Sequence, residues 1–182
     1  MSDAQGQPDA LTTALVAGLG KKTGVCWLRY DGGEHAVWHV WFDDGTAPAG
    51  LALVSGGPEQ PLPGIDAAGT VEVVMRSKES GGRLLCWVGT VEPVAPGDPL
   101  WAPVTEALVA GRLNLPDLGT AANTWAVHSS VVRVVPTGEV REHPGALDDG
   151  PLAATPRPTA ATTRGALPRV LHRRVRRRPR LS

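Results

Sequence analysis

The sequence predicts a mainly β fold of the α+β class: six antiparallel strands forming a small barrel or curled sheet, two flanking helices and a disordered C-terminal tail. Three observations predict it. Short apolar runs alternate with Asp-Gly and Gly-Gly punctuation, as hairpins require. Helical periodicity occurs in only two places, so the pattern does not support a parallel α/β sheet. Past about Gly145 all periodicity is lost.

Asp9 to Lys22 is the first predicted helix, with Leu11, Leu15 and Leu19 four residues apart, Asp9 as N-cap and two lysines at its end. Val25 to Tyr30 is the first strand, closed by Asp31-Gly32-Gly33, and Ala36 to Phe42 the second, closed by Asp43-Asp44-Gly45. Leu51 to Ser55 is the third. Pro58, Pro61 and Pro63 then remove backbone donors and block strand pairing. Val71 to Ser77 and Arg83 to Val94 form a hairpin. Pro99 to Leu113 is the second helix, started by Asp98-Pro99. Thr124 to Pro136 is the sixth strand, with Val131 to Val135 at its centre. This divides the chain into an N-terminal segment 1–8, a barrel domain 9–144 and a tail 145–182.

The 182 residues carry 18 Lys+Arg and 18 Asp+Glu, yet the zero net charge is unevenly spread. Pro151 to Ser182 holds nine arginines and no Asp, Glu or Lys, so all the acidic residues lie in the first 150. That separation excludes an evenly mixed neutral surface. No apolar run approaches the ~20 residues that span a bilayer. The first residues lack a basic region followed by an apolar one, and Cys26 and Cys86 have no metal-binding spacing, so a reduced cytoplasmic protein without a metal is expected.

Several residues are candidates for a site. Arg76 and Lys78 share a strand face at the hairpin end, with Ser77 between them, and could hold a phosphate; the same pattern fits a solvated strand end beside Glu72 and Glu79. Trp38 shares a face with Val40 and Phe42, and His39 shares the other with Val37 and Trp41. An indole and an imidazole could stack on a planar ligand, or simply pack in the core. Ser55-Gly56-Gly57 could present backbone N–H groups to an anion, or be only a turn. No nucleophile motif or fixed carboxylate pair identifies a catalytic residue.

Taken in order, these elements resemble the split β-barrel flavin-binding superfamily, the pyridoxamine 5′-phosphate oxidase-like proteins. Three segments carry the resemblance: Val37 to Gly45, Arg83 to Val94 with its central Gly89, and Pro96 to Trp101 before a helix. It covers about residues 10 to 138. It implies a six-stranded antiparallel split barrel that forms a homodimer and binds flavin mononucleotide (FMN) or a deazaflavin. Arg76, Ser77 and Lys78 would then lie near the phosphate, and Trp38 and His39 near the ring system, with Ser55 and Gly56 at the third-strand turn. The turn departs from the pattern: Pro58-Glu59-Gln60-Pro61 holds an acid and no cation.

The resemblance implies a flavin-dependent oxidoreductase of unassigned substrate. The alternative is a non-enzymatic, degenerate barrel acting as an interaction protein through its tail. There Arg173, Arg174, Arg176, Arg177 and Arg178 form a cationic run suited to nucleic acid or another polyanion, with salt-sensitive binding. Arg- and Pro-rich composition alone also accounts for that run.

Overall fold

A computed structural model describes residues 10–77, 82–112, 118–144 and 146. All of them lie in the first of two compact units, 1–147 and 148–182. Helix α1 (Ala10–Lys22) is followed by β1 (Val25–Tyr30), β2 (Gly33–Trp38), β3 (Val40–Phe42) and β4 (Gly50–Ser55). A 3-10 turn (Ile65–Ala67), β5 (Thr70–Arg76) and β6 (Arg83–Val94) come next. The unit ends with α2 (Trp101–Gly111), α3 (Ala121–His128) and β7 (Ser130–Glu142).

The strands make one antiparallel sheet in the order β2-β1-β5-β6-β7-β4-β3. Its two outermost strands are consecutive in the chain, separated by one residue, so the sheet must curl until its edges meet. That residue is His39. The chain leaves the β1 ladder at Trp38, opposite Val25, and enters the β4 ladder at Val40, opposite Ala52. Between them the His39 N–H donates to the Gly24 carbonyl at 3.1 Å.

Two expectations are corrected here. Among the described residues there are seven strands, not six, because the predicted strand Ala36 to Phe42 changes partner at His39 and is divided there. Among the described residues there are three α-helices, not two: Thr124 to His128 belongs to α3 rather than to the last strand. Ala121 and Trp125 are both buried and lie one helical turn apart, so the apolar period there is four, not two.

Alternation along the strands separates two cores. Leu28, Leu53, Val73, Leu85 and Trp87 fill the inside of the curl. Phe42, Val54, Val94, Leu108, Trp125 and Val131 pack outside it, against α2 and α3. Strand β4 serves both, with Leu51 and Leu53 inward and Ala52 and Val54 outward, so it is buried along its whole length and reads as a continuous apolar run. Between β1 and β2, Asp31 and Gly32 both take positive φ, 47° and 73°, the backbone twist a two-residue hairpin turn prefers. Helix α1 lies against β3 and β4, and the Trp41 ring occupies the space that a side chain at Gly20 would need. Among the described residues no helix is long and apolar enough to cross a membrane.

His39 is only 3% exposed. Neither ring nitrogen has a hydrogen-bond partner of ordinary geometry among the described residues; a weaker interaction with the Gly20 backbone favours the charged ring. Burial dominates and pushes the ring down to about 4 from its ordinary 6.5. The unfolded chain therefore binds the proton first as pH falls. The stability contributed by the neutral ring is complete above about pH 6.5 and lost on descent to about pH 4, by about 3 kcal/mol. Urea midpoints compared at about pH 7 and about pH 4.5 should fall less in His39→Phe than in the parent chain. Equal falls in both would show that His39 does not set this slope.

Candidate functional site: two tryptophan–arginine stacks on an outer face

Helices α2 and α3 pack against β3, β4 and β7. The outward positions of β2, β1 and β5 are more open, with Glu34, Ala36 and Val25 exposed. Register places the side chains on this face. Trp27 is opposite Ala36 on one side and Val74 on the other, and Val25 is opposite Trp38. Trp27 and Trp38 are thus diagonal neighbours on adjacent strands, roughly 7–8 Å apart at their backbones. Arg76, two residues beyond Val74, faces the same way.

Each of these indoles carries an arginine. The Arg76 guanidinium lies 4.2 Å from the Trp27 ring centroid, and that of Arg112, just past the end of α2, lies 4.5 Å from the Trp38 ring. Cation–π attraction favours both stacks. The two arginines differ in their acidic partners. Arg76 has a loose pair with Glu34 at 3.6 Å, and Glu34 is itself held more tightly by Arg29 at 2.5 Å. Arg112 pairs with Glu59 at 2.9 Å, and the Glu59 side chain is 2% exposed. The other Glu59 oxygen accepts the Trp125 indole N–H at 3.1 Å. The acid in the turn therefore fixes an arginine over Trp38, a partner 53 positions further along the chain.

Gln60 makes the second link. Its side-chain oxygen accepts the Trp38 N–H at 2.8 Å, and its amide nitrogen donates to the Trp38 carbonyl at 3.0 Å and the Val54 carbonyl at 3.2 Å. One side chain thus supplies the rungs missing between the end of β2 and β4, just before the chain changes partner.

The structure brings together Trp38 and Arg76, joined on the same face by Trp27. His39 lies on the α1 side, near Gly20, away from Trp38. Ser55 and Gly56 form the turn. The Ser55 hydroxyl accepts the Leu62 N–H at 3.0 Å, and the Gly56 N–H donates to the Gln60 carbonyl at 3.0 Å. The Gly56 carbonyl accepts from the Glu59 N–H and the Ser129 hydroxyl, both at 3.0 Å. These groups are spent within the fold. The Ser77 N–H closes the hairpin onto the Gly82 carbonyl at 2.8 Å. Lys78 and the tail arginines Arg173, Arg174, Arg176, Arg177 and Arg178 lie outside the described residues.

Sequence reasoning missed Trp27, Glu59, Gln60 and Arg112 as contributors. Strand parity in β1 carried a signal for Trp27, since Trp27 and Arg29 alternate with buried Cys26 and Leu28. Burial raises the Cys86 thiol to about 11 and shifts Cys26 in the same direction, so neither is a nucleophile at neutral pH. Among the described residues no cluster of three or more His, Cys, Asp or Glu could hold a metal ion.

No protein-family model matches the chain, and no curated protein matches it. Two solved structures are similar to it. One is a pyridoxamine 5′-phosphate oxidase-like protein of Listeria innocua, with a TM-score of 0.44 and 17% identity, covering 70% of this chain and 94% of that one. The other is an FAD-binding protein of Mesorhizobium loti, with a TM-score of 0.41 and 17% identity, covering 71% of this chain and 88% of that one.

The Gln60 clamp is directly testable. Removing three hydrogen bonds and leaving part-buried backbone groups unpaired should cost Gln60→Ala about 2 kcal/mol in chemical denaturation. A loss under about 0.5 kcal/mol, within the range of ordinary surface substitutions, would show that the clamp does not hold the junction.

Proposed function

We propose that this chain binds FMN or a deazaflavin on the outer face of β2, β1 and β5 and serves as an oxidoreductase. The observation that carries the proposal is the pair of tryptophan–arginine stacks on that face. A phosphorylated planar ring needs an aromatic surface and a cation at one end of it, and these four residues supply both.

The fit differs between the two arginines. The Arg76 side chain is 35% exposed and its pair with Glu34 is long, so a phosphate would compete well for it. Lys78, two residues on, would add a second cation. Arg112 is committed to a buried carboxylate and is better suited to holding the Trp38 ring in place. The Ser55–Gly56 turn offers no unspent donor among the groups described, so its part is to shape the wall beside Trp38. His39 would act through the fold, by setting where β2 ends. The flavin, when bound, supplies the electron or hydride transfer, while the chain binds and orients it. Following the split-barrel resemblance, the reading includes a homodimer with the ligand between two such faces.

Purified protein should show a flavin absorption band, or bind added FMN or deazaflavin with quenching of tryptophan fluorescence. Arg76→Ala should weaken that binding about tenfold or more, the loss expected of one charge-assisted hydrogen bond. Colourless protein that binds neither ligand overturns the proposal, as does unchanged affinity in Arg76→Ala. Colourless protein whose salt-sensitive polyanion binding disappears when residues 151–182 are removed would favour the interaction-protein alternative.

A further inference from the structure

The inner side of the curled sheet has an opening under the first half of α1, and a cavity of about 240 Å³ lies there. Val16 and Ala17 of α1 line its roof, and Trp41, Trp87, Val135 and Val140 line its walls. Local features explain why the fold leaves it open. At the far end of α1, the Trp41 ring takes the place of a side chain at Gly20 and sets how closely the helix approaches the sheet. Beneath the near end, the β6–β7 register shifts twice, between Cys86 and Gly89, opposite the stretch holding Pro136 and Gly138. Such irregularities bend a strand and interrupt its side-chain ladder. Small residues at that bend cannot fill the space below the helix.

We infer that this cavity is a second ligand site, separate from the outer tryptophan–arginine face, and that it takes a neutral ring compound of one or two fused rings. Size sets the upper limit: an apolar cavity of ~150 Å³ accepts benzene, so this one admits a bicyclic ring but not a nucleotide. Chemistry sets the charge. The walls are mainly aliphatic side chains and indole rings, with Thr12 and Thr13 as neutral polar members, and an ion moved into them would lose its hydration without gaining a charged partner. The cavity's acid, Glu139, is half exposed and already paired with Arg141 at 2.8 Å. The indole N–H groups of Trp41 and Trp87 are buried away from the cavity, so these residues offer it ring surface and no charge, which suits a neutral ring. Barrel mouths are recurrent places for ligands of this kind.

The test uses the full-length protein without flavin and 2-naphthol as probe, measured by titration calorimetry. Binding with a Kd on the order of 100 µM is expected for a ring of this size. Ala17→Leu, which fills the roof with a residue that favours helix, should weaken binding at least tenfold without lowering the thermal midpoint. Val140→Phe fills the cavity from the opposite wall and should do the same if the first variant fails to fold. The charged analogue 2-naphthoate should bind at least tenfold more weakly than 2-naphthol. Absence of 2-naphthol binding, equal binding by the filled variants, or equal binding of the anion would each overturn the inference. Because neither flavin nor Arg76 enters the experiment, its failure and that of the flavin proposal are distinguishable.

Discussion

One strand in this fold belongs to both edges of the sheet, and the rest of the architecture depends on the single residue where it changes sides. Up to Trp38 the chain pairs with β1, and from Val40 it pairs with β4. β2 and β3 are the two edges of the sheet, joined through His39 but not paired with each other, so backbone groups on their outer sides must be covered by other means. Gln60 protects the exposed side of β2 at this point by bonding both backbone groups of Trp38 and reaching β4 through the Val54 carbonyl. The junction also sets side-chain direction. Because strand parity is kept through it, Val37 and Trp41 reach the inner core while Trp38, Val40 and Phe42 pack on the outer side.

Curling the sheet in this way leaves polar groups in apolar surroundings. His39 is held neutral at the junction, and the indole N–H groups of Trp41 and Trp87 are buried without hydrogen-bond partners among the described residues. Such groups oppose folding, and they are offset by the two apolar cores on either side of β4. The outer face uses its polar groups differently. Arg29, Glu34, Glu72 and Arg76 are all partly exposed and share their charges across three strands; Arg29 and Glu34 are close at 2.5 Å, whereas the pairs Arg76–Glu34 and Arg29–Glu72 are long at 3.6 and 3.9 Å. Weak, solvated pairs of this kind add little stability and exchange partners readily. The buried Glu59–Arg112 pair is the opposite case, a fixed support whose carboxylate is out of water. In the proposed site the ligand contact would therefore fall to Arg76 and the positioning to Arg112, although both stack on tryptophan.

Much of the strand pattern was legible because turn residues punctuate it. Asp31-Gly32 marks the first hairpin, and the continuous apolar run within Arg83 to Val94 marks the long strand. Closure was not legible. His39 and its neighbours read as one unbroken strand, since nothing local distinguishes a strand that keeps its partner from one that exchanges it. Trp125 was misread because the valines of β7 follow so soon after α3 that a period-two pattern can be extended backward through it. Of the candidate site, Trp38 and Arg76 could be picked out by residue type and position near strand ends. Glu59 looked like a missing cation. Its role depends on Arg112 and Trp125, and a pairing over that sequence distance has no local trace. Pairing also hides in the Ser55–Gly56 turn, whose donors look available until Gln60 and Leu62 are seen to use them.

The six tryptophans supply the most direct test of the central claim, that the curled sheet presents Trp27 and Trp38 together as the flavin surface. Their indole N–H resonances can be followed individually by nuclear magnetic resonance in isotope-labelled protein while FMN is added. The account predicts shifts at Trp27 and Trp38, with Trp41 and Trp87, on the inner side of the sheet, unmoved. Shifts confined to Trp41 and Trp87, or none at Trp27 and Trp38 when FMN is in excess, would contradict it.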